Sequence, residues 1–210
     1  MPLRIFLADD HVVVRQGLKA LLQSEGFQVV GEASDGHTAV QLIPSLNADV
    51  AVLDVGMPLM NGIETASELQ KSWPKVKCIL LTLHDEDQYV KAALLTGIRG
   101  YVLKSQTGTD LVQAIHNVMR GRIYLSPGIS QAVVDALANK SGQTLAQLSR
   151  RERQVLQLIG EGKSTKEVAT LLRIGVKTAE SHRSRLMQKL DIHEVASLVR
   201  YAIRMGVIEP

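Results

Sequence analysis

Residues 50–54 read Val-Ala-Val-Leu-Asp and run into Val55, Gly56, Met57 and Pro58. Four consecutive apolar side chains leave no polar face, so a strand made of them is covered on both sides, as in the middle of a parallel sheet. The glycine and proline that follow end regular structure. Asp54 then stands at the carboxyl end of the strand, the edge on which open α/β sheets carry their chemistry. An aspartate there can also be a plain turn or helix cap. The rest of the chain decides between the two.

Residues 3–8 predict a first strand that ends in Asp9-Asp10. Residues 12–23 carry Val13, Val14, Leu18, Leu21 and Leu22 at helical spacing, and Gly26 stops them. Residues 27–31 are a short second strand, Asp35-Gly36 a turn, and 38–46 a second helix that accommodates Pro44 near its end. The Asp54 strand is the third. A helix follows over 63–73, stopped by Pro74, then a fourth strand over 76–81 ending at Thr82. Residues 87–95 form a helix closed by Gly97, 99–103 a fifth strand ending at Lys104, and 109–120 a fifth helix before Gly121. Strands alternating with helices at this spacing make an α/β domain: a doubly wound, five-stranded parallel sheet with helices on both faces.

In such a sheet Asp9-Asp10, Asp54, Thr82 and Lys104 fall on one edge. Each has a bland explanation alone; their joint placement at strand ends points to a pocket. Three close carboxylates repel one another and call for a cation. Oxygen ligands without His or Cys favour Mg²⁺. Mg²⁺, a hydroxyl and an ammonium are what a phosphoryl group needs around it. An ionised carboxylate can itself be the nucleophile and form an aspartyl phosphate.

The charge is unevenly placed. Residues 1–125 hold 11 Lys/Arg and 13 Asp/Glu, a balance of −2, whereas residues 126–210 hold 13 and 8, a balance of +5. A basic C-terminal third favours a polyanion, with double-stranded DNA first in line. Aromatic residues are only 3% of the chain, which argues against stacking platforms for single strands. Cys78 is the only cysteine, so no intrachain disulfide and no cysteine-rich metal site is available. No N-terminal stretch resembles a signal peptide and no run approaches membrane-spanning length. The expected location is cytoplasmic, with no membrane partner.

Residues 129–137 have helical spacing and 139–144 are polar, the expected flexible linker. Ser149-Arg150-Arg151-Glu152 and Ser164-Thr165-Lys166-Glu167 are capping-box patterns that open helices over 152–159 and 167–172. A tight Arg173-Ile174-Gly175 connection leads to a longer basic helix over 176–190, and 198–207 supply a last helix. Helix, short turn and basic helix make a helix-turn-helix. On the longer helix Val176, Ala179, Leu186 and Leu190 share the apolar face. Lys177, Ser181, Ser184, Arg185 and Gln188 point away with Lys189 beside them, as in a recognition helix lying in the major groove. Arg183 falls between the faces and is expected to form an ion pair with Glu152 or Glu167.

With these residues in view, positions 3–121 resemble a response-regulator receiver domain. The resemblance rests on Asp9-Asp10, Asp54 with Met57-Pro58 and Asn61-Gly62, Thr82, and Lys104-Ser105. It implies that Asp54 accepts a phosphoryl group from a cognate histidine kinase. Asp9, Asp10, Asp54 and the Gly56 carbonyl would hold Mg²⁺. Thr82, Lys104 and Tyr101 would be the phosphoryl-binding and switch residues. Leu83 departs from the pattern, since a small residue is common there.

Residues 145–207 resemble the LuxR-type helix-turn-helix through Leu148-Ser149-Arg150-Arg151-Glu152, Lys166-Glu167-Val168-Ala169, residues 176–183 and Lys189-Leu190. Thr165 stands where asparagine is frequent and Gly175 where a serine cap is common. The expected DNA-facing residues are Thr165, Lys177, Thr178 and Glu180, with Ser181, Ser184, Arg185 and Lys189. Together the two matches resemble a NarL/FixJ-family response regulator: receiver domain 1–122, linker with a helix 123–144, DNA-binding domain 145–210. The implied function is a phosphorylation-controlled transcription regulator that forms a homodimer when phosphorylated. An aspartyl-phosphate phosphohydrolase would want a second acid just after the nucleophile, and Val55, Gly56 and Met57 do not supply one. A DNA-binding regulator independent of phosphorylation is the other alternative.

Overall fold

The computed structural model describes residues 1–82, 98–129, 148–205 and 207–208. The chain forms two compact units, Met1–Asn139 and Lys140–Pro210. In the first, the strands are β1 (Arg4–Ala8), β2 (Gln28–Ala33), β3 (Val50–Asp54), β4 (Lys77–Thr82), β5 (Gly100–Leu103) and β6 (Tyr124–Leu125). They form one sheet in the order β2-β1-β3-β4-β5-β6, every pair parallel. Its helices among the described residues are α1 (Val12–Ser24), α2 (Gly36–Ser45), α3 (Gly62–Ser72) and α4 (Thr107–Met119).

The alternation of side chains along each strand feeds two cores. Ile5, Leu7, Val50, Val52, Ile79 and Leu81 pack with Leu18 and Leu22 of α1 and with Leu111 and Ile115 of α4. Phe6, Ala8, Ala51, Leu53, Leu80 and Leu103 pack on the other face with Ile43 of α2 and Leu69 of α3. All five residues of β3 are buried, as its unbroken apolar run requires.

Three details differ from the sequence reading. The sheet has six strands instead of five: Tyr124 and Leu125 pair with Gly100 and Tyr101, so residues placed in the linker belong to the sheet. Asp35-Gly36 is the start of α2 and not a free-standing turn. The Asp35 carboxylate accepts from the amide of Thr38 at 2.8 Å, a side-chain cap. A Cβ on Gly36 would lie 2.3 Å from the carbonyl oxygen of Met60, so only glycine fits there. The fifth expected helix begins earlier, at Thr107. The expected helix over 87–95 with Gly97, the expected helix over 129–137 apart from Ile129, the polar segment 139–144 and Leu83 lie outside the described residues.

The second unit contains α5 (Arg150–Gly160), α6 (Thr165–Leu171), α7 (Val176–Leu190) and α8 (Val195–Arg204). Both expected capping boxes form, Ser149 with Glu152 and Ser164 with Glu167, and each satisfies amides that a helix start leaves bare. Val155, Leu156 and Ile159 of α5 meet a core that includes Val168, Ala179, Leu186 and Leu198. The last helix begins at Val195, three residues before the expected start. Val176, assigned to the apolar face, is 41% exposed at the first position of α7. Among the described residues no helix is long and apolar enough to cross a membrane.

Candidate functional site

Asp9 follows β1, Asp54 ends β3, Thr82 ends β4 and Lys104 follows β5. The parallel register brings these ends to one edge: Ala8 pairs with Leu53, Asp54 with Leu81, and Thr82 with Leu103. The Lys104 ammonium bridges two carboxylates, 2.9 Å from Asp9 Oδ2 and 2.9 Å from Asp54 Oδ1. Asp9 and Asp54 are each 1% exposed and Thr82 6%. Asp10 is at the rim.

Burial pushes the Asp54 carboxyl up to about 6; Lys104 opposes the rise, and the charge of Asp9 adds to it. Burial also works against the Lys104 ammonium, but the Asp54 and Asp9 carboxylates outweigh it and hold its pKa above the ordinary lysine range. With all groups ionised, three carboxylates and one ammonium leave a charge of −2. A divalent cation matches that charge. Asp9, Asp10, His11 and Asp54 offer ligand atoms that all lie within 4.8 Å of one another. Asp54 Oδ2 is buried with no hydrogen-bond partner among the described residues. An orphaned carboxylate oxygen in an oxygen-rich cluster fits a hard cation such as Mg²⁺.

The loop after β3 packs closely on Asp54. The Gly56 amide donates to the Asp54 carboxylate. Leu59 takes a left-handed φ of 66°, and the Asn61 side chain caps α3 by accepting from the Glu64 amide at 2.9 Å. A Cβ on Gly62 would lie 2.2 Å from the carbonyl oxygen of Asp54, so α3 begins in van der Waals contact with the Asp54 main chain. Tyr101 is 2% exposed, and its hydroxyl has no hydrogen-bond partner among the described residues. Burial pushes its phenol well up.

Two residues of this region have no role in the sequence reading. His11 Nδ1 is 2.8 Å from Asp10 Oδ1, and the His11 amide donates to Asp9 Oδ1 at 2.8 Å. Arg15, one turn further on, donates through Nη1 to the Asp9 carbonyl at 2.6 Å and through Nε to Glu32 at 3.2 Å. Lys19 pairs with the same Glu32 at 2.6 Å and helps hold its carboxyl below the usual range. A basic residue one turn into a helix that follows an acidic pair is the signal that could have found Arg15.

The second unit presents an exposed face. Lys177, Thr178, Glu180, Ser181, Ser184 and Arg185 are all exposed on α7, opposite the buried Ala179 and Leu186. One expectation is corrected, the ion pair of Arg183. Lys189 is already engaged, its ammonium 2.8 Å from Glu152 Oε2, an oxygen that also caps Ser149 at 2.7 Å. Burial of Glu152 works against its charge, but Lys189 and Ser149 outweigh it and hold the carboxyl below the usual range. Arg183 therefore does not take Glu152, and Glu167 is turned to Ser164. Arg183 instead donates to Thr165 Oγ1 at 3.2 Å, linking α7 to α6 and giving Thr165 a partner within the fold. The turn between these helices contains Arg173 at φ 53°.

The family models match both halves. The response regulator receiver domain covers residues 5–116, and the luxR family of bacterial regulatory proteins covers residues 146–202. The chain is 34% identical to the oxygen regulatory protein NreC of Staphylococcus carnosus, over 99% of this chain and 100% of that protein. It is 32% identical to the transcriptional regulatory protein DegU of Brevibacillus brevis, over 99% of this chain and 95% of that one. Among solved structures, RcsB of Salmonella enterica serovar Typhimurium, bound to a promoter in the presence of the phosphomimetic BeF₃⁻, matches with a TM-score of 0.69 at 29% identity, covering 96% of this chain and 98% of that one. An RcsB–DNA complex matches with a TM-score of 0.60 at 28% identity, with the same coverage. A strand-end acidic pocket in one unit and an exposed basic helix-turn-helix in the other, matched along nearly the whole chain, place this protein in the NarL/FixJ family of DNA-binding response regulators.

Proposed function

We propose that Asp54 is the phosphoacceptor and that its phosphorylation controls DNA binding by the second unit. The observation that carries this reading is the Lys104 ammonium set between the buried Asp9 and Asp54, beside an Asp54 oxygen that has no hydrogen-bond partner among the described residues. A carboxylate oxygen of Asp54 attacks phosphorus as the P–N bond of a kinase phosphohistidine breaks, and the electron pair leaves with the imidazole. Lys104 then pairs with the phosphoryl oxygens, and Thr82 offers its hydroxyl from the end of the neighbouring strand. Asp9, Asp10, Asp54 and the Gly56 carbonyl would hold Mg²⁺, with His11 in reach. When bound, the ion would supply charge neutralisation of the phosphoryl oxygens. Tyr101, on the strand that leads to Lys104, is the switch side chain. The protein accepts a group and loses it slowly; it does not turn over a substrate.

On the output side, Lys177 and Arg185 contact phosphates, and Thr178, Glu180, Ser181 and Ser184 approach base edges. Lys189 and Thr165 serve the fold first and DNA second. A phosphorylated homodimer places two α7 helices about one helical turn, roughly 34–36 Å, apart on a pseudo-palindromic site. The working compartment is the cytoplasm, and the receiver takes in the β6 residues Tyr124 and Leu125, past residue 122.

The test is intact-mass measurement after acetyl phosphate and Mg²⁺, together with footprinting on DNA selected by the protein. Wild type gains a phosphate adduct and changes its DNA affinity; Asp54→Asn does neither. An Asp54→Asn protein that is labelled and responds like wild type would sink the reading.

A further inference from the structure

The sixth strand is held by more than its two residues account for. The Tyr124 amide donates to the Arg99 carbonyl at 2.8 Å, and the Ser126 amide donates to the Tyr101 carbonyl at 3.0 Å. Pro127 has no amide and ends the series. The next amide on β5, that of Leu103, donates to the Ser126 hydroxyl at 3.2 Å. That hydroxyl donates in turn to Asp110 Oδ2 at 2.6 Å. Ser126 is 0% exposed, so the bond to Leu103 is made away from water and the bond to the half-buried Asp110 starts from a buried hydroxyl. Asp110 lies in the first turn of α4, where a carboxylate is favoured by the helix dipole. The same carboxylate lies near the Tyr124 phenol, which burial pushes up to about 12, with the charge of Asp110 adding to the rise. Gly128 follows, so close that a Cβ would lie 2.9 Å from Leu103 Cδ1, and Ile129 is buried in the same core as Tyr101 and Leu103. One carboxylate thus ties together the start of a helix, the last residue of β5 and the segment by which the chain leaves the sheet.

That strand is also the far wall of the acidic pocket. Leu103 is the residue before Lys104, whose ammonium lies 2.9 Å from both Asp9 and Asp54. Any shift of Lys104 toward a new anion pulls on the Leu103 main chain, and the Leu103 amide is held by Ser126. We propose that Ser126 and Asp110 are positioning residues that clamp the exit segment, residues 124–129, to β5, and so pass the state of the pocket to the chain leading toward the DNA-binding unit. The proposal rests on Asp54 being the phosphoacceptor. A hydroxyl that accepts from one group and donates to another fixes direction and register, which an apolar contact of the same size does not. The clamp therefore transmits a displacement where a greasy contact would slip.

The test uses the full chain as wild type, Ser126→Ala and Asp110→Asn. Two quantities are read: labelling of Asp54 by acetyl phosphate with Mg²⁺ on phosphate-affinity gels, and the change in affinity that labelling produces for a duplex the wild type selects from a random pool. Both variants take the label and bind the duplex unlabelled as wild type does. Their phosphorylation-dependent change in affinity falls on the order of fivefold or more, the lower end of an ordinary allosteric coupling. A wild-type response in both variants overturns the proposal. Loss of labelling also overturns it, because the residues would then act inside the pocket. A wild type that takes no label overturns the Asp54 reading and the proposal with it.

Hydrogen exchange on wild type alone removes any dependence on folding of the variants. With BeF₃⁻ and Mg²⁺, peptides over 54–62 report loading of the pocket, and those over 124–129 change their exchange on the order of tenfold. Loading at 54–62 with unchanged exchange at 124–129 overturns the clamp.

Discussion

The two units put charge to opposite uses. The receiver pocket gathers three carboxylates and an ammonium at strand ends, two of the carboxylates 1% exposed. The helix-turn-helix spreads its working side chains over one exposed face of α7, and the exposed Lys189 at the end of that helix reaches the buried Glu152. In the first unit function is stored as electrostatic cost within the fold; in the second it lies outside the fold's energy. Damage to the pocket should therefore register in stability, and damage to the DNA face in binding alone. Trp73 is the only tryptophan and lies at the end of α3, so its fluorescence reports on the first unit selectively.

The largest break is Lys104→Ala. It leaves Asp9 and Asp54 buried without their counter-charge, and about 3–5 kcal/mol of stability is expected to go. Urea unfolding followed by Trp73 measures it at neutral pH without Mg²⁺; a loss below 1 kcal/mol would dissolve the contrast. Next is Gly62→Ala, whose Cβ would sit 2.2 Å from the Asp54 carbonyl oxygen. Overpacking against main chain costs about 2–3 kcal/mol, and Asp54 labelling should slow with it.

Asp54→Asn runs the other way. The Asp54 carboxyl is raised from 3.8 to about 6, so its ionised form destabilises the fold above that pH. The variant should be more stable than wild type by on the order of 1–2 kcal/mol at pH 7.5 without Mg²⁺. Between pH 6 and 4 the wild-type carboxyl protonates in the native state, and the advantage should fade; paired urea titrations across that range check the sign. In the second unit Glu152→Ala removes a capping box and the partner of Lys189. About 1 kcal/mol is expected to be lost by thermal unfolding of the second unit, followed by hydrogen exchange. The Glu152 carboxyl is held below 4.5, so its contribution stands above that pH and is lost as pH falls through the lowered value.

The smallest expected stability change is for Arg185→Ala, within about 0.5 kcal/mol, because the side chain is exposed. Its effect belongs to DNA: weaker binding to all duplexes alike, and a salt dependence shallower by about one in the log–log slope. Fluorescence anisotropy at several salt concentrations separates this from a change of sequence preference.

The same contrast explains what the sequence made legible. Every strand with three or more apolar residues in a row could be read, and each led to a polar residue at its end; that placed Asp9, Asp54, Thr82 and Lys104 without knowledge of contacts. β6 has only two residues, Tyr124 and Leu125, and exists because β5 offers an edge and Ser126 extends the pairing through its side chain. Asp35-Gly36 misled because an aspartate makes the same side-chain-to-amide bond in a turn and at a helix start. On α7, helical spacing sorted exposed from buried correctly for Lys177, Ser181 and Arg185, but it could not tell that Lys189 is claimed by a carboxylate 37 positions upstream. Arg15 reaches Glu32 only because of how α1 lies on the sheet, whereas its bond to the Asp9 carbonyl and those of His11 to Asp9 and Asp10 are local.

Gly62 carries a mechanical meaning beyond its tight fit. With α3 pressed against the main chain of Asp54, capped by Asn61 and closed onto Val55 by the Gly62 amide at 3.2 Å, the acceptor side of the pocket is a stator. If Asp54 takes a phosphoryl group as proposed, the close packing of Gly62 leaves that wall little room to yield. The strain goes to the opposite wall, where Lys104 is tethered through its flexible chain and Thr82 turns about a single bond. The fold thereby decides in advance which half of the receiver is the rotor.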